Sequence, residues 1–333
     1  MEENKGIMTE ERLTWTERIG YASGDMACNF IYQIICMFLT IYYTDVFGIA
    51  PHVVSILFLG SRIWDAVNDP MMGAIVDKTN TKKGKFRPWI LWGAIPFAVF
   101  GILCFTRPDI SLTGRTVYAC VTYVALTMIY TMINTPYGAL TSAMTQDPQE
   151  RAKLTVIRMI GATTGMLFVS VGVPFAVSLY AGNEGKGYHN IMILYSIIGA
   201  ALLLFCYKST KERYSVPGGS RVTAKSMLDA IVRNKPLLIL CMMMFFNYGL
   251  NTIVTSAVSY YFRYYIGDMA SLGIFNMVGT VTALVVMLFV PKVLDRVDKK
   301  TLYLVGSVGM AVQPIYMLFC PQGTSGLIGL YIA

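Results

Sequence analysis

Long apolar runs, separated by short polar connectors, fill most of the chain from residue 19 onward. A helix needs roughly 20 mostly apolar residues to cross the hydrocarbon layer of a bilayer. By that measure the pattern predicts nine full membrane spans and the start of a tenth over 326–333, where the sequence ends. The nine predicted spans cover residues 19–43, 50–76, 88–106, 115–144, 156–181, 189–207, 236–262, 271–291 and 301–320.

The longest connector divides these spans into two groups. It is rich in basic residues and contains the helix-breaking sequence PGG. We therefore predict a cytoplasmic N-terminus, a six-helix bundle, a cytoplasmic central loop, and a partial second bundle of three helices and the start of a fourth. Because the last helix is cut, we expect the sequence to be a fragment or to be truncated. The four predicted parts cover 1–18, 19–207, 208–235 and 236–333.

Composition agrees with a membrane protein, because 55% of the residues are hydrophobic and only 14% are charged. Soluble domains carry about 25% charged residues. The net charge of +8 does not indicate nucleic-acid binding. When the connectors are assigned alternately to two sides, one side holds 21 Lys and Arg residues and the other holds 4. Basic loops stay in the cytoplasm, so we predict a multi-pass protein of the cytoplasmic membrane with its N-terminus inside.

The second span carries charges where the lipid would be. Arg62, Asp65 and Asp69 share one helical face, and Asn68 flanks the two carboxylates. Each ionised group at the centre of a span costs at least about 2.5–3.5 kcal/mol. A monovalent cation or a proton between the two carboxylates would remove their repulsion, and Arg62 would balance the remaining charge. The alternative is a structural ion pair between this span and a neighbouring helix.

Three other spans carry polar residues suited to polyol binding. The first contains Asn29, and the fourth contains Tyr130 and Asn134 close to Pro136, which we expect to break the helix. We place Arg158 near the start of the fifth span, where it would either line a site or extend towards the cytoplasm. Amides, tyrosines and one Arg together are typical of a sugar pocket.

A basic connector follows the second span and has a counterpart after the eighth. In both places an Asp followed by a basic residue ends a predicted helix, and such a parallel repeat is typical of two-bundle transporters. The alternative is stop-transfer charge only. The residues of this predicted cytoplasmic gate are Asp77, Lys78, Gly84, Lys85 and Arg87 in the first half, with Asp295 and Arg296 in the second.

Five segments together resemble one known family. They are GYASGDMACNF…YYTDVFGI (20–49), RIWDAVNDPMMG (62–73), GKFRPWIL (84–91), NTPYGAL (134–140) and DPQERAKL…R (147–158). The chain resembles the glycoside–pentoside–hexuronide:cation symporters, a branch of the major facilitator superfamily. The resemblance implies an all-α membrane protein with two six-helix bundles in the parent, the second truncated here. It also implies a functional monomer without a cofactor.

The resemblance implies roles for particular residues. Asp65, Asn68, Asp69 and Thr131 match the cation site of the melibiose carrier, where Na⁺, Li⁺ or H⁺ binds. Tyr130 and Arg158 match sugar contacts, and the sugar-binding acids of that carrier fall at Asn29 and Asn134 here. Its stacking Trp falls at Gly138. These departures favour a glucuronide-like substrate, since amides beside Arg158 would not repel a carboxylate.

The sequence thus predicts cation-coupled symport of a glycoside. An intramembrane protease is disfavoured, because its two aspartates normally sit on different helices, whereas Asp65 and Asp69 share one. A carrier of lipid-like or other non-sugar solutes, or a non-transporting sensor with the same fold, remains the alternative.

Overall fold

A computed structural model of the chain describes residues 13–180, 183–214, 233–260, 269–294, 296–298 and 300–309. Throughout these residues the structure consists of helices, their connections and one isolated β-bridge between Thr81 and Gly84. The chain divides into two compact units, Met1–Pro217 and Gly218–Ala333.

The first unit contains six long helices. A single π-helical turn, Tyr42–Val46, extends the first of them. The helices are α1 (Trp15–Ile41), α2 (Pro51–Lys78), α3 (Arg87–Cys104), α4 (Leu112–Met144), α5 (Pro148–Ser178) and α6 (Glu184–Ser209).

The second unit is described over α7 (Lys235–Tyr260), α8 (Met269–Leu294) and a helical segment at 300–309. The predicted ninth span is therefore described only in its first part, and the predicted tenth lies outside the described residues. The prediction of an all-α membrane fold is confirmed over the part of the chain that the structure covers.

Six described segments are long and apolar enough to cross a membrane. The helix α2 is equally long but is not among them, because its polar central residues lower its hydropathy. That helix is the one predicted to carry the intramembrane charges. The six segments are Trp15–Val46, Arg87–Cys104, Leu112–Met144, Pro148–Val177, Glu184–Ser209 and Met277–Leu294.

Two helices begin earlier than their apolar runs. Thr14 caps α1 in a capping box with Glu17, so the helix starts four residues before the predicted boundary at 19. Asp147 caps α5 by accepting hydrogen bonds from the next backbone amides, and Pro148 occupies the first helical turn. The prediction that the fifth span begins near Arg158 is wrong, because that residue lies ten positions inside the helix.

The predicted break at Pro136 is also wrong. The helix α4 continues through this residue from Leu112 to Met144. Proline lacks the backbone N–H that would bond to the carbonyl of Met132, so the turn loses one hydrogen bond without ending the helix.

The helix α1 packs mainly against α5 and α6. Two glycines on α5 permit close contact with α1: a Cβ at Gly161 would lie 2.5 Å from the Ala22 carbonyl oxygen, and one at Gly165 would lie 3.0 Å from that of Met26. Small residues allow helix backbones to approach in this way. The contact brings the first turns of α5 alongside the polar part of α1.

Candidate cation and substrate site

Polar residues of four helices in the first unit lie at similar distances from one end of their helix. Asp25 and Arg158 each follow the start of their helix by ten residues, while Asp69 and Asn134 precede the end of theirs by nine and ten. At 1.5 Å per residue these positions lie about 15 Å from the helix ends. Half of the roughly 30 Å hydrocarbon layer has the same thickness, so a membrane surface at these helix ends would put the polar residues near its midplane.

The helices α2 and α4 meet at a hydrogen bond between two predicted cation ligands. The Thr131 hydroxyl donates to Asp69 Oδ1 over 3.0 Å. Thr131 is buried, whereas Asp69 is exposed at the helix surface. The structure therefore brings together Asp69 and Thr131, which sequence spacing alone could not pair.

The same face of α2 contains polar atoms whose bonding is incomplete. Asp65 Oδ1 and Asn68 Nδ2 are both buried and make no hydrogen bond within the described part of the chain. Buried polar groups are nearly always hydrogen-bonded, so such atoms call for an explanation. A carboxylate oxygen and an amide beside Asp69 provide the hard oxygen ligands that alkali cations prefer, once the amide turns its oxygen inwards.

Arg62 supports this cluster from the accessible side. Its Nη1 lies 3.7 Å from Asp65 Oδ2, and the same atom donates to the Tyr32 hydroxyl over 3.2 Å. The ion pair lies within α2 and does not tie that helix to a neighbour. The predicted alternative of a structural ion pair between helices does not describe Arg62 and Asp65.

A pair of tyrosines connects this cluster to the predicted substrate residues. Tyr32 on α1 stacks on Tyr130 on α4, with ring centroids 4.1 Å apart and ring planes 10° apart. Arg62, Tyr32 and Tyr130 thus form a continuous contact between the predicted cation ligands and the predicted substrate residues. No role was predicted for Tyr32 from the sequence.

Arg158 faces α1 and not the cytoplasm. Its Nε lies 3.3 Å from Asp25 Oδ2, and its guanidinium lies 6.0 Å from the centre of the Tyr137 ring. Gly161, one turn further along α5, permits the close helix contact that places the two charges together. The alternative in which Arg158 extends towards the cytoplasm is therefore wrong.

The two predicted amide ligands lie on α1 and α4 and are both half-buried. Asn29 is half-buried on α1 and donates to the Asp25 carbonyl oxygen over 2.9 Å. Asn134 is half-buried on α4, at helical spacing between Tyr130 and Tyr137. Gly138, one turn after Asn134, is exposed, and a Cβ there would meet no atom within 4 Å. This position therefore leaves open space beside the amide.

The predicted gate forms a compact structure in the first unit. Lys85 Nζ lies 2.9 Å from Asp77 Oδ1, and the loop between them contains the Thr81–Gly84 bridge. Gly84 has a φ of 109°, in the region that favours glycine. Lys78 ends α2 and is exposed.

The gate residues contact a segment that the sequence analysis did not single out. We call residues 210–214, which follow α6, the clasp. Glu212 of the clasp accepts three backbone hydrogen bonds at the start of α3, from Lys85, Phe86 and Arg87, over 2.8–2.9 Å. An anion is favoured there because the N-terminus of a helix presents free N–H groups and a positive dipole end.

Two further arginines connect helix ends on the same side of the first unit. Arg87 donates to the Tyr207 carbonyl oxygen on α6 over 2.7 Å. Arg213 of the clasp pairs with Glu17 on α1 over 2.8 Å, and its backbone N–H donates to Ala143 on α4. The clasp therefore joins the ends of α1, α3, α4 and α6.

The second half of the predicted gate stays a prediction. Asp295 lies outside the described residues. Arg296 is exposed and donates its backbone N–H to Val293 in the turn after α8.

Comparisons with known proteins agree with these observations. The chain is 38% identical to the uncharacterized symporter YnaJ of Bacillus subtilis, over 96% of the chain and 70% of that protein. It is 38% identical to the putative glycoside/cation symporter YagG of Escherichia coli, over 88% of the chain and 64% of that protein. It is 33% identical to the isoprimeverose transporter of Lactiplantibacillus pentosus, over 90% and 63%. The chain thus spans about two thirds of the length of these relatives.

A family profile described as MFS/sugar transport protein matches residues 20–333, nearly the whole chain. This match and the symporter relatives confirm the predicted resemblance. The family consists of transporters, which confirms that the chain is not an intramembrane enzyme. The long apolar helices and the relatives identify a multi-pass membrane protein. The chain belongs to the MFS/sugar transport family.

Proposed function

We propose that this chain forms part of a secondary active transporter that couples the movement of a glycoside to that of Na⁺ or H⁺ across the cytoplasmic membrane. The observation that carries the proposal is the hydrogen bond between Thr131 and Asp69 beside the unbonded Asp65 Oδ1 and Asn68 Nδ2. These four residues offer a cation several oxygens at the depth of the bilayer midplane.

Coupling needs a physical connection between cation and substrate. Arg62 contacts Asp65 and Tyr32, and Tyr32 stacks on Tyr130. Neutralising Asp65 with a cation would weaken its attraction for Arg62 and so alter the position of the tyrosine pair. We propose that this is how cation binding prepares the substrate side, with the two bundles then alternating access.

The names of the relatives favour a glycoside over a lipid-like solute or a sensor. Beside YagG and the isoprimeverose transporter, the glucuronide carrier protein homolog of Escherichia coli is 34% identical, over 90% of the chain and 66% of that protein. We propose Asn29, Tyr130, Asn134 and Arg158 as the substrate residues, and a monomer as the functional unit, since one bundle contributes all of them.

The finer prediction of a glucuronide-like substrate rested on Arg158 as the main fixed charge. In the structure that charge faces Asp25. A hexuronide stays a prediction, and the charge of the site now argues against it.

Uptake into vesicles tests the proposed function. Neutral and acidic glycosides are offered to the protein with and without an inward Na⁺ gradient, and separately with an inward H⁺ gradient. We expect uphill accumulation of at least one glycoside under one of the two gradients. Glycoside uptake that is the same with and without either gradient would contradict coupled transport.

A further inference from the structure

The middle turns of α1–α6 carry more negative than positive charge. Five charged side chains lie more than two turns from the ends of α1–α6 in the described part of the chain. Arg62 and Arg158 are positive, and Asp25, Asp65 and Asp69 are negative. One monovalent cation would bring this group to neutrality.

Asp25 and Arg158 offset one another, so the net charge of the five residues equals that of Arg62, Asp65 and Asp69 on α2 alone. The side chain of Asp25 is only 16% exposed, and that of Arg158 is 34% exposed. A carboxylate in this position would leave a costly uncompensated charge without the guanidinium, and the guanidinium would do so without the carboxylate. The two residues therefore depend on one another electrostatically.

The pair is nevertheless loosely made. Arg158 Nε is buried and lies 3.3 Å from Asp25 Oδ2, yet it makes no hydrogen bond within the described residues. Salt-bridged groups with good geometry usually come within 2.7–2.9 Å. Donor capacity on Arg158 and acceptor capacity on Asp25 are thus both left over at the same place.

A neutral glycoside can use both groups. One hydroxyl can donate to Asp25 while another accepts from Arg158, and the net charge of the site does not change. A uronide would instead place a third carboxylate close to Asp25, compete with it for Arg158, and leave a negative charge inside the membrane even after a cation has bound.

We propose that Asp25 is a specificity-determining residue, which makes the site select neutral glycosides over uronides by occupying Arg158. This inference rests on the proposed function, because it assumes that glycosides reach Arg158. It adds Asp25 to the substrate residues and assigns the substrate to the neutral class.

Selectivity after charge removal tests the proposal. The probes are matched neutral and acidic compounds, p-nitrophenyl β-glucoside with β-glucuronide and p-nitrophenyl β-galactoside with β-galacturonide, measured for binding and uptake with the protein in vesicles. We expect the wild type to prefer the neutral members at least about tenfold. Asp25→Asn should raise uronide affinity relative to the neutral partner by about ten- to a hundredfold, because Arg158 is freed for a charge-assisted hydrogen bond.

Two control variants isolate the effect of charge at this position. Asp25→Glu keeps the charge and should keep the neutral preference. Asp45→Asn removes an exposed carboxylate from the π-helical turn that extends α1, about 30 Å away along the helix, and should leave the ratio unchanged. An unchanged ratio in Asp25→Asn, or a wild type that prefers uronides, would overturn the proposal.

Stability provides a readout that does not need a substrate. Asp25→Asn and Arg158→Gln should each lower the melting temperature by leaving one charge unpaired, whereas the double variant should recover much of the loss. Additive losses would contradict the pairing. If the wild type accumulated no glycoside, the proposed function would fail, and this cycle would still decide whether the pair exists.

Discussion

The midplane cluster consists of Asp65, Asn68 and Asp69 on α2 with Thr131 on α4. Like the clasp, it contains carboxylates, but its carboxylates have fewer close hydrogen-bond partners. Around the clasp, Glu212, Glu17 and Asp77 each accept hydrogen bonds no longer than 3.0 Å from Lys, Arg or backbone groups. In the midplane cluster Asp69 accepts one side-chain bond, and the carboxylate of Asp65 has its nearest described cation at 3.7 Å.

The difference separates charges that hold the bundle together from charges that remain available to a ligand. Glu212 already has three donors, so another ligand would gain little from it. Asp65 Oδ1 and Asn68 Nδ2 lack hydrogen-bond partners within the described residues although both atoms are buried, and that state costs free energy in the protein alone. A bound cation would offset this free-energy cost, because it would supply the interactions that these atoms lack.

The largest functional change is expected from Asp69→Cys, a substitution in the midplane cluster. It removes one of the two carboxylates of the proposed cation site, the one that joins α2 to Thr131. Uphill accumulation of glycoside should be lost completely while some glycoside binding remains. Accumulation ratios in vesicles and binding in detergent measure the two properties. Asp45→Cys is the matched control, and undiminished uphill uptake by Asp69→Cys would show that the cation binds elsewhere.

Removing the Glu212 carboxylate from the clasp should destabilise the folded protein. Glu212→Ala leaves three N–H groups at the start of α3 without their acceptor, which should lower the free energy of unfolding by about 3 kcal/mol. Thermal unfolding in detergent measures the loss, and glycoside affinity of the folded fraction should change less than twofold. Glu184→Ala, in the exposed first turn of α6, is the control. Equal melting temperatures for Glu212→Ala and Glu184→Ala would show that the clasp carboxylate does not stabilise the helix bundle.

A smaller change is expected from the hydroxyl of Thr131. Thr131→Val keeps the volume and loses the bond to Asp69, worth about 1 kcal/mol, so the cation concentration for half-maximal uptake should rise about fivefold. Thr131→Ser keeps the hydroxyl and should stay near the wild-type value. If Val and Ser behaved alike, the hydroxyl would have no part in cation binding.

The smallest effect should come from Tyr32→Phe. The ring still stacks on Tyr130, but Arg62 loses its acceptor. We expect the cation to enhance glycoside affinity about two- to threefold less than in the wild type, with glycoside affinity in the absence of cation unchanged. Titrations of glycoside at zero and saturating cation give both values. A fall in cation-free affinity would show that the hydroxyl contacts the substrate instead.

The sequence predicted the cluster on α2 correctly as one polar face, because helical periodicity places Arg62, Asp65 and Asp69 together. Its link to Thr131 came only through the family resemblance, since no spacing rule relates residues on two helices. The start of α5 was predictable: Asp147, Pro148 and Glu150 form a recognisable helix N-terminus, but the apolar run alone was used.

The partners of Arg158 and of the α3 N-terminus were harder to predict. Asp25 and Arg158 are distant in sequence, although Gly161 and Gly165 signalled a close helix contact on that face. Glu212 lies in a basic loop, where a single acid looks like ordinary solvated charge. Its role depends on the chain turning back under α3, a long-range contact that local pattern does not encode.

The contact between Gly84 and the clasp limits which residues can replace Gly84. Any Cβ at this position would overlap the Glu212 carboxylate, and the backbone φ of 109° disfavours side chains independently. Gly138 offers the opposite case, with open space around its missing side chain. A survey of all substitutions should therefore find that position 84 tolerates almost no residue other than glycine, whereas position 138 accepts many residues without loss of folding.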